Sequence, residues 1–137
     1  MKRGLYVLFL SCFLFLVSCA GSDGPNFSYS ASCAAQQLVK ECLVSPSSAD
    51  FQKTDVIAEA HNPETNERFF LVYISVDAQN AFGVMIREYF IVPILYKNND
   101  TSSFYFPKES KIFKCAPEPT KYEILAAKAA ITWPVDG

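Results

Sequence analysis

Hydrophobic and polar positions alternate with a period that changes along the chain, and each change marks an element. Between Cys33 and Leu43 the apolar residues Ala35, Leu38, Val39 and Cys42 fall at i, i+3, i+4 and i+7, with Gln36, Gln37, Lys40 and Glu41 between them. That spacing puts one apolar stripe on a helix. Ser32 is placed to cap its start, and Ser45-Pro46 ends it, because the residue before a proline avoids helical geometry. Residues 45–51, SPSSADF, read as a compact turn with Phe51 tucked beneath the helix.

Strand-like stretches follow. Asp55–Ala60 is short and modest, and residues 61–66 form a loop by composition. Arg68–Val76 is a strong strand with both faces apolar: Phe69, Leu71 and Tyr73 on one, Phe70, Val72, Ile74 and Val76 on the other. A strand of that kind needs cover on both sides. A turn over 77–83 leads into a second long strand, Val84–Tyr96, in which Pro93 demands a bulge or an unpaired edge position, since proline has no N–H to give the ladder. After a turn over 97–102, residues 103–106 and 111–114 make a last, broken strand. A helical pattern then runs over 120–131, capped by Thr120, with Tyr122, Leu125, Ala126 and Ala129 on one stripe. The expected architecture is α+β: an N-terminal helix packed on a four-stranded antiparallel meander, with a C-terminal helix.

The first eighteen residues follow a different logic. Lys2 and Arg3 give a basic start, an apolar run follows from Leu5 to Leu16, and small residues lead to Cys19. This is the layout of an export signal, and its apolar core is too short to span a bilayer comfortably. The exit, Leu16-Val17-Ser18-Cys19, resembles the lipobox of bacterial lipoproteins. The resemblance implies that the Cys19 thiolate accepts a diacylglyceryl group, that a peptidase removes residues 1–18, and that Cys19 becomes the lipidated first residue. Several acyl chains, each buried methylene contributing about 0.8 kcal/mol, anchor a protein where one chain does not. Ala20, in place of an aspartate after the cysteine, leans by the same resemblance toward the outer membrane, facing the periplasm. Residues 19–31 are small and polar and read as a tether, leaving 32–137 as one α+β domain.

Composition narrows the function more than it names it. Without the signal, 119 residues remain, with 10 basic and 14 acidic side chains and a net charge of −4. No basic cluster is visible, so the electrostatic footprint of a nucleic-acid binder is absent. His61, the only histidine, lies in a loop beside no nucleophile pattern and reads as a solvated side chain. The cysteine spacing does not suit structural zinc, and no glycine-rich phosphate loop occurs, so no cofactor is expected. Asp77, Gln79, Asn80 and Arg87 are the candidate partner-binding corner, being polar groups at a tight turn. The structural explanation is favoured there: Asp77 and Asn80 bond the turn's own backbone, and Gly83 supplies a positive φ.

Two stretches, Val39–Phe51 (VKECLVSPSSADF) and Val76–Phe90 (VDAQNAFGVMIREYF), resemble small, mostly uncharacterised bacterial and phage-borne lipoproteins. In that group a helix ends in a Ser/Asp-Pro-Ser-Ser/Thr-Ala turn closing on Phe, and a Val-Asp-x-x-Asn-x-Phe-Gly corner joins two strands before an Arg. The resemblance covers roughly a quarter of the mature chain, implies the same α+β architecture and names no activity. Where that group carries a cysteine in the second long strand this chain has Ile91, so no disulfide carries over.

The cysteines that outlast the signal and the lipid are Cys33, Cys42 and Cys115, in an oxidising compartment. Cys33 and Cys42 lie roughly 13 Å apart along one helix axis, beyond the reach of a disulfide at about 7 Å between Cα atoms. Cys115 is therefore the expected partner. Strand directions bring it near the helix's C-terminal end, which favours Cys42–Cys115 over Cys33–Cys115. Together these readings point to a lipid-anchored, non-catalytic cell-envelope protein that binds another envelope or secretion-assembly protein. The rivals are an envelope hydrolase using carboxylates gathered by folding, and a carrier of an apolar ligand.

Overall fold

The computed structural model describes residues 26–105, 112–121 and 124. The signal over 1–18, Cys19 and the first part of the tether lie outside the described residues, as does most of the C-terminal helix expected over 120–131. At that C-terminal site one backbone bond is described, from the Ile124 N–H to the Thr120 carbonyl.

Helix α1 (Phe27–Cys42) is followed by a 3-10 turn (Pro46–Ser48) and four strands: β1 (Asp50–Asn62), β2 (Glu67–Gln79), β3 (Met85–Tyr96) and β4 (Phe113–Lys114). The strands form one antiparallel sheet in the order β1-β2-β3-β4, with a further bridge between Leu95 and Tyr105. This is the expected helix on a four-stranded antiparallel meander.

The helix starts earlier than its sequence pattern suggested. Asn26, not Ser32, is the cap: its side chain accepts from the Tyr29 N–H, so residues 27–31 of the expected tether are helical. The buried stripe is correspondingly Ala31, Ala34, Ala35 and Val39, with Phe27 and Leu38 packed beside it. Small alanines let α1 lie close on the sheet, and Cys42, expected on that stripe, is exposed.

Parity along the strands then builds two apolar layers. Phe70, Val72, Ile74 and Val76 of β2 and Phe90, Val92, Ile94 and Tyr96 of β3 face α1. Phe69, Leu71 and Tyr73, with Ile91 and Leu95, make the second layer on the reverse face, with Phe113 and Cys115 packed against it. The Tyr73 hydroxyl donates to the Pro117 carbonyl, tying the segment after β4 to that reverse face.

This layering corrects the disulfide expectation. No disulfide joins any two of Cys33, Cys42 and Cys115. The direction argument holds, since β4 runs toward the sheet end where α1 finishes. The face does not: Cys115 belongs to the layer opposite α1, and a sheet stands between it and both helix cysteines.

Pro93 sits opposite Leu71 in an unbroken β2–β3 register, with no bulge. Leu95 exchanges both of its backbone bonds with Tyr105, on the side away from β2, and the Tyr89 carbonyl accepts from Cys115 on that same side. Pro93 shares their parity, so its missing N–H faces away from β2. Among the described residues no partner pairs with it there, between the Ile91–Phe113 pair and the Leu95–Tyr105 bridge. The bulges fall instead on edge strand β1, where the register shifts between Phe51 and Lys53 and between Val56 and Ala58. Bulges and the charged Lys53, Asp55 and Glu59 blunt an edge that would otherwise template further pairing.

Candidate functional site

The β2–β3 corner is tighter than its sequence reading. Strand pairing continues to Gln79 opposite Met85, so Asp77 is a strand residue directly across from Arg87. Their side chains form a two-point ion pair, Arg87 Nε to Asp77 Oδ1 and Nη2 to Oδ2, both at 2.6 Å. That fork geometry is the strong form of the interaction. The hydrogen bonds from Arg87 hold the Asp77 carboxyl below its usual range and push the guanidinium up.

Asn80 closes the turn. Its Oδ1 accepts from the N–H groups of Phe82 (2.9 Å) and Val84 (3.1 Å), while its own N–H donates to the Val84 carbonyl. Gly83 has φ +76° and donates to the Asn80 carbonyl, a backbone setting that suits glycine. The Gln79 N–H donates to Ser48 Oγ at 2.8 Å, fixing the 3-10 turn after α1 to the root of the same hairpin. Three of the four corner residues therefore act on one another or on local backbone, and Gln79 is held through its main chain. Asp77 bonds Arg87 rather than the turn backbone.

Sequence reasoning missed what this scaffolding holds out. Residues 81–87 are all exposed, and Phe82 at the apex is 91 % accessible. Val84, Met85 and Ile86 follow it. The signal is the uncharged run AFGVMI between Asn80 and Arg87, which the sequence reading divides between the turn over 77–83 and the strand from Val84.

At the other end of the sheet Arg68 gathers three elements. Its guanidinium lies 4.7 Å from the Phe27 ring centroid at the start of α1, Nη1 is 3.6 Å from Glu59 of β1, and Nε donates to Asn99 Oδ1 at 3.1 Å. Asn99 in turn donates from Nδ2 to Asn66 Oδ1, joining the β1–β2 turn to the loop after β3. Beside this end a shallow cleft of about 280 Å³ is lined by Tyr29, Cys33, Gln37, Tyr96, Thr101 and Phe104, among others, and by no charged side chain. Burial, and after it the Cys33 thiol, pushes Tyr96 up to about 12, so its phenol stays neutral.

Among the described residues Asp50 stands directly across from Asp77 in the β1–β2 register, and other carboxylates meet cations. Asp55 meets Lys53, Glu59 meets Arg68 and Glu88 meets Lys114. His61 is exposed in β1, opposite Arg68. Among the described residues no group of three metal-ligating side chains converges, and no helix is long and apolar enough to cross a membrane. The chain matches no protein-family model, and neither a curated protein nor a solved structure shows significant similarity to it.

Proposed function

We propose that the chain is a lipid-anchored, non-catalytic cell-envelope protein, held through Cys19 at the outer membrane facing the periplasm, whose folded domain binds another envelope or secretion-assembly protein. The observation that carries the binding half is the concentration of exposed apolar side chains at one end of an otherwise well-buried domain. A patch of that kind on a folded chain marks a contact surface. The lipobox-like sequence before Cys19 supports the anchor.

The anchor is tested by growing cells with labelled palmitate and separating membranes. Wild-type chain takes up label and sediments with membranes, whereas Cys19→Ala is unlabelled and persists as precursor or soluble protein. Labelling of Cys19→Ala at the wild-type level overturns the anchor. The binding half is tested by crosslinking in intact envelopes, where one recurring protein adduct is expected and its absence counts against the reading.

A further inference from the structure

Seven large apolar side chains are exposed among the described residues, and their placement is uneven. Val44, Phe82, Val84, Met85 and Ile86 stand at the end of the sheet where α1 finishes. We propose that this tip is the docking element, and that it seats Phe82 in a concave, apolar, uncharged pocket on another extracytoplasmic protein. The proposal rests on the protein-binding reading above and says where on the domain that binding occurs.

Presentation is the first argument. Phe82 is fully extended into solvent, yet its backbone is fixed on both sides by Asn80 Oδ1 and by the turn at Gly83. Because the backbone beneath the ring is already fixed, entry into a pocket has to order only the two side-chain torsions of Phe82, and aromatics of this kind supply most of the affinity at many interfaces.

Charge and size choose among occupants. Arg87, the first cation along β3, is committed to Asp77, and Lys114 is committed to Glu88, while Lys40 in the last turn of α1 lies over the Phe51 ring. The cations of β3 and β4 are not left to draw the tip toward anionic lipid headgroups, and Lys40 by itself adds only about 1 kcal/mol of such attraction. The mature chain is also acidic overall. The exposed fractions at the tip amount to on the order of 400 Å² of apolar surface, and strand parity puts Val84 and Ile86 on the α1 side and Met85 on the reverse side, so this surface wraps the hairpin behind Phe82 and is not one flat face. A symmetric pair of this chain needs about 800 Å² from each copy. A convex knob does not supply that against another knob, but it does fill a cavity.

Position agrees. Phe27 packs near Tyr96 and Arg68, so α1 begins at the end of the sheet opposite the tip. The chain from Cys19 enters there, and the seven residues to Asn26 reach at most about 25 Å. A 13-residue strand such as β2 spans about 40 Å. A domain standing off its anchor thus holds Phe82 outward, toward other envelope proteins.

The full-length chain, in its own envelope, is fitted with a photoreactive benzophenone side chain at position 82, and separately at 64 and 105, both exposed at the opposite end of the sheet, as controls. Illumination is expected to give one adduct with a different protein from position 82 and none from 64 or 105. That protein, purified, should bind the wild-type chain, lose affinity at least about thirtyfold on Phe82→Ala, and be unaffected by Tyr105→Ala. Phe82→Ala is checked for wild-type circular dichroism. An adduct of twice the chain mass from position 82 makes the occupant a second copy and overturns the proposal. So does binding to vesicles of phosphatidylethanolamine and phosphatidylglycerol that is lost with Phe82→Ala. A protein adduct from 64 or 105 but not from 82 overturns the tip assignment while leaving protein binding intact. No protein adduct from any of the three positions removes both.

Discussion

The two ends of the sheet solve the same problem in opposite ways. At the end where α1 begins, the aromatic rings are enclosed: Phe27 lies 5.7 Å from Tyr96, Tyr96 lies 6.0 Å from Phe70, and Arg68 covers Phe27 while reaching β1 and the loop after β3. At the end where α1 finishes, polar groups are spent on holding a turn, and the aromatic ring is left outside. Both ends are well ordered by hydrogen bonds. The difference is what those bonds protect: a core at one end, a presented side chain at the other. Exposure at Phe82 is thus not a sign of loose structure.

The sharpest way to break this contrast is to shorten one aromatic at each end. Phe70 is fully buried between α1 and β3, and Phe70→Ala removes a ring from a packed interior. It is expected to cost about 3–5 kcal/mol in urea unfolding. Phe82→Ala in the same assay should change stability by less than about 0.5 kcal/mol. A loss above about 1 kcal/mol for Phe82→Ala would mean that the ring belongs to the fold after all.

A smaller effect is expected from the turn itself. Asn80→Ala deletes the acceptor for the Phe82 and Val84 N–H groups, both of which can turn to water. The expected cost is about 1 kcal/mol, measured as a shift of the urea midpoint with unchanged slope. No shift would show that Gly83 and the strand pairs alone hold Phe82 in place.

How much of this was legible follows from which residues carry periodic information. The apolar run Phe69–Val76 announces a doubly covered strand because both parities are filled, and β2 is that strand. The same double filling hides parity elsewhere. Ile112 and Phe113 are both apolar, so a two-residue β4 does not declare which face Cys115 takes, and only the pairing of Phe113 with Ile91 decides it. The start of α1 was obscured by Gly24-Pro25 and by serines, while its true stripe runs through alanines that weigh little in a hydropathy reading. Asp77, Asn80 and Arg87 were legible as a corner, but the Asp77–Arg87 pair needs a register that runs past Val76, where the sequence pattern ends the strand. The clamp around Arg68 joins residues 27, 59, 68 and 99, and no local pattern links positions so far apart.

The finest comparison uses one carboxylate from each end. Asp77 is held below its usual value first by the hydrogen bonds from Arg87, against a desolvation penalty, with the Arg87 charge adding to the lowering. Asp100, in the loop after β3, is lowered by the backbone N–H of Ser102 and then by its hydroxyl. Both are acids whose folded-state pKa is depressed. Each therefore contributes stability that is fully present above the ordinary value of 3.8 and is lost as pH falls through the lower folded value. Asp100 is exposed, and the half-buried Asp77 is paired with an exposed Arg87, so the contributions are small. Asp77→Asn and Asp100→Asn should each flatten the acid limb of the thermal-unfolding curve below about pH 4. Salt separates them. An ion pair in solvent weakens when 1 M salt shortens the Debye length to about 3 Å, whereas an aspartate turn made of hydrogen bonds to neutral groups does not. The part of the acid limb removed by Asp77→Asn should therefore shrink in 1 M salt, and the part removed by Asp100→Asn should persist. Equal salt sensitivity of the two would show that the Arg87 fork contributes through local hydrogen bonding alone, and that its charge matters little to holding the hairpin beneath Phe82.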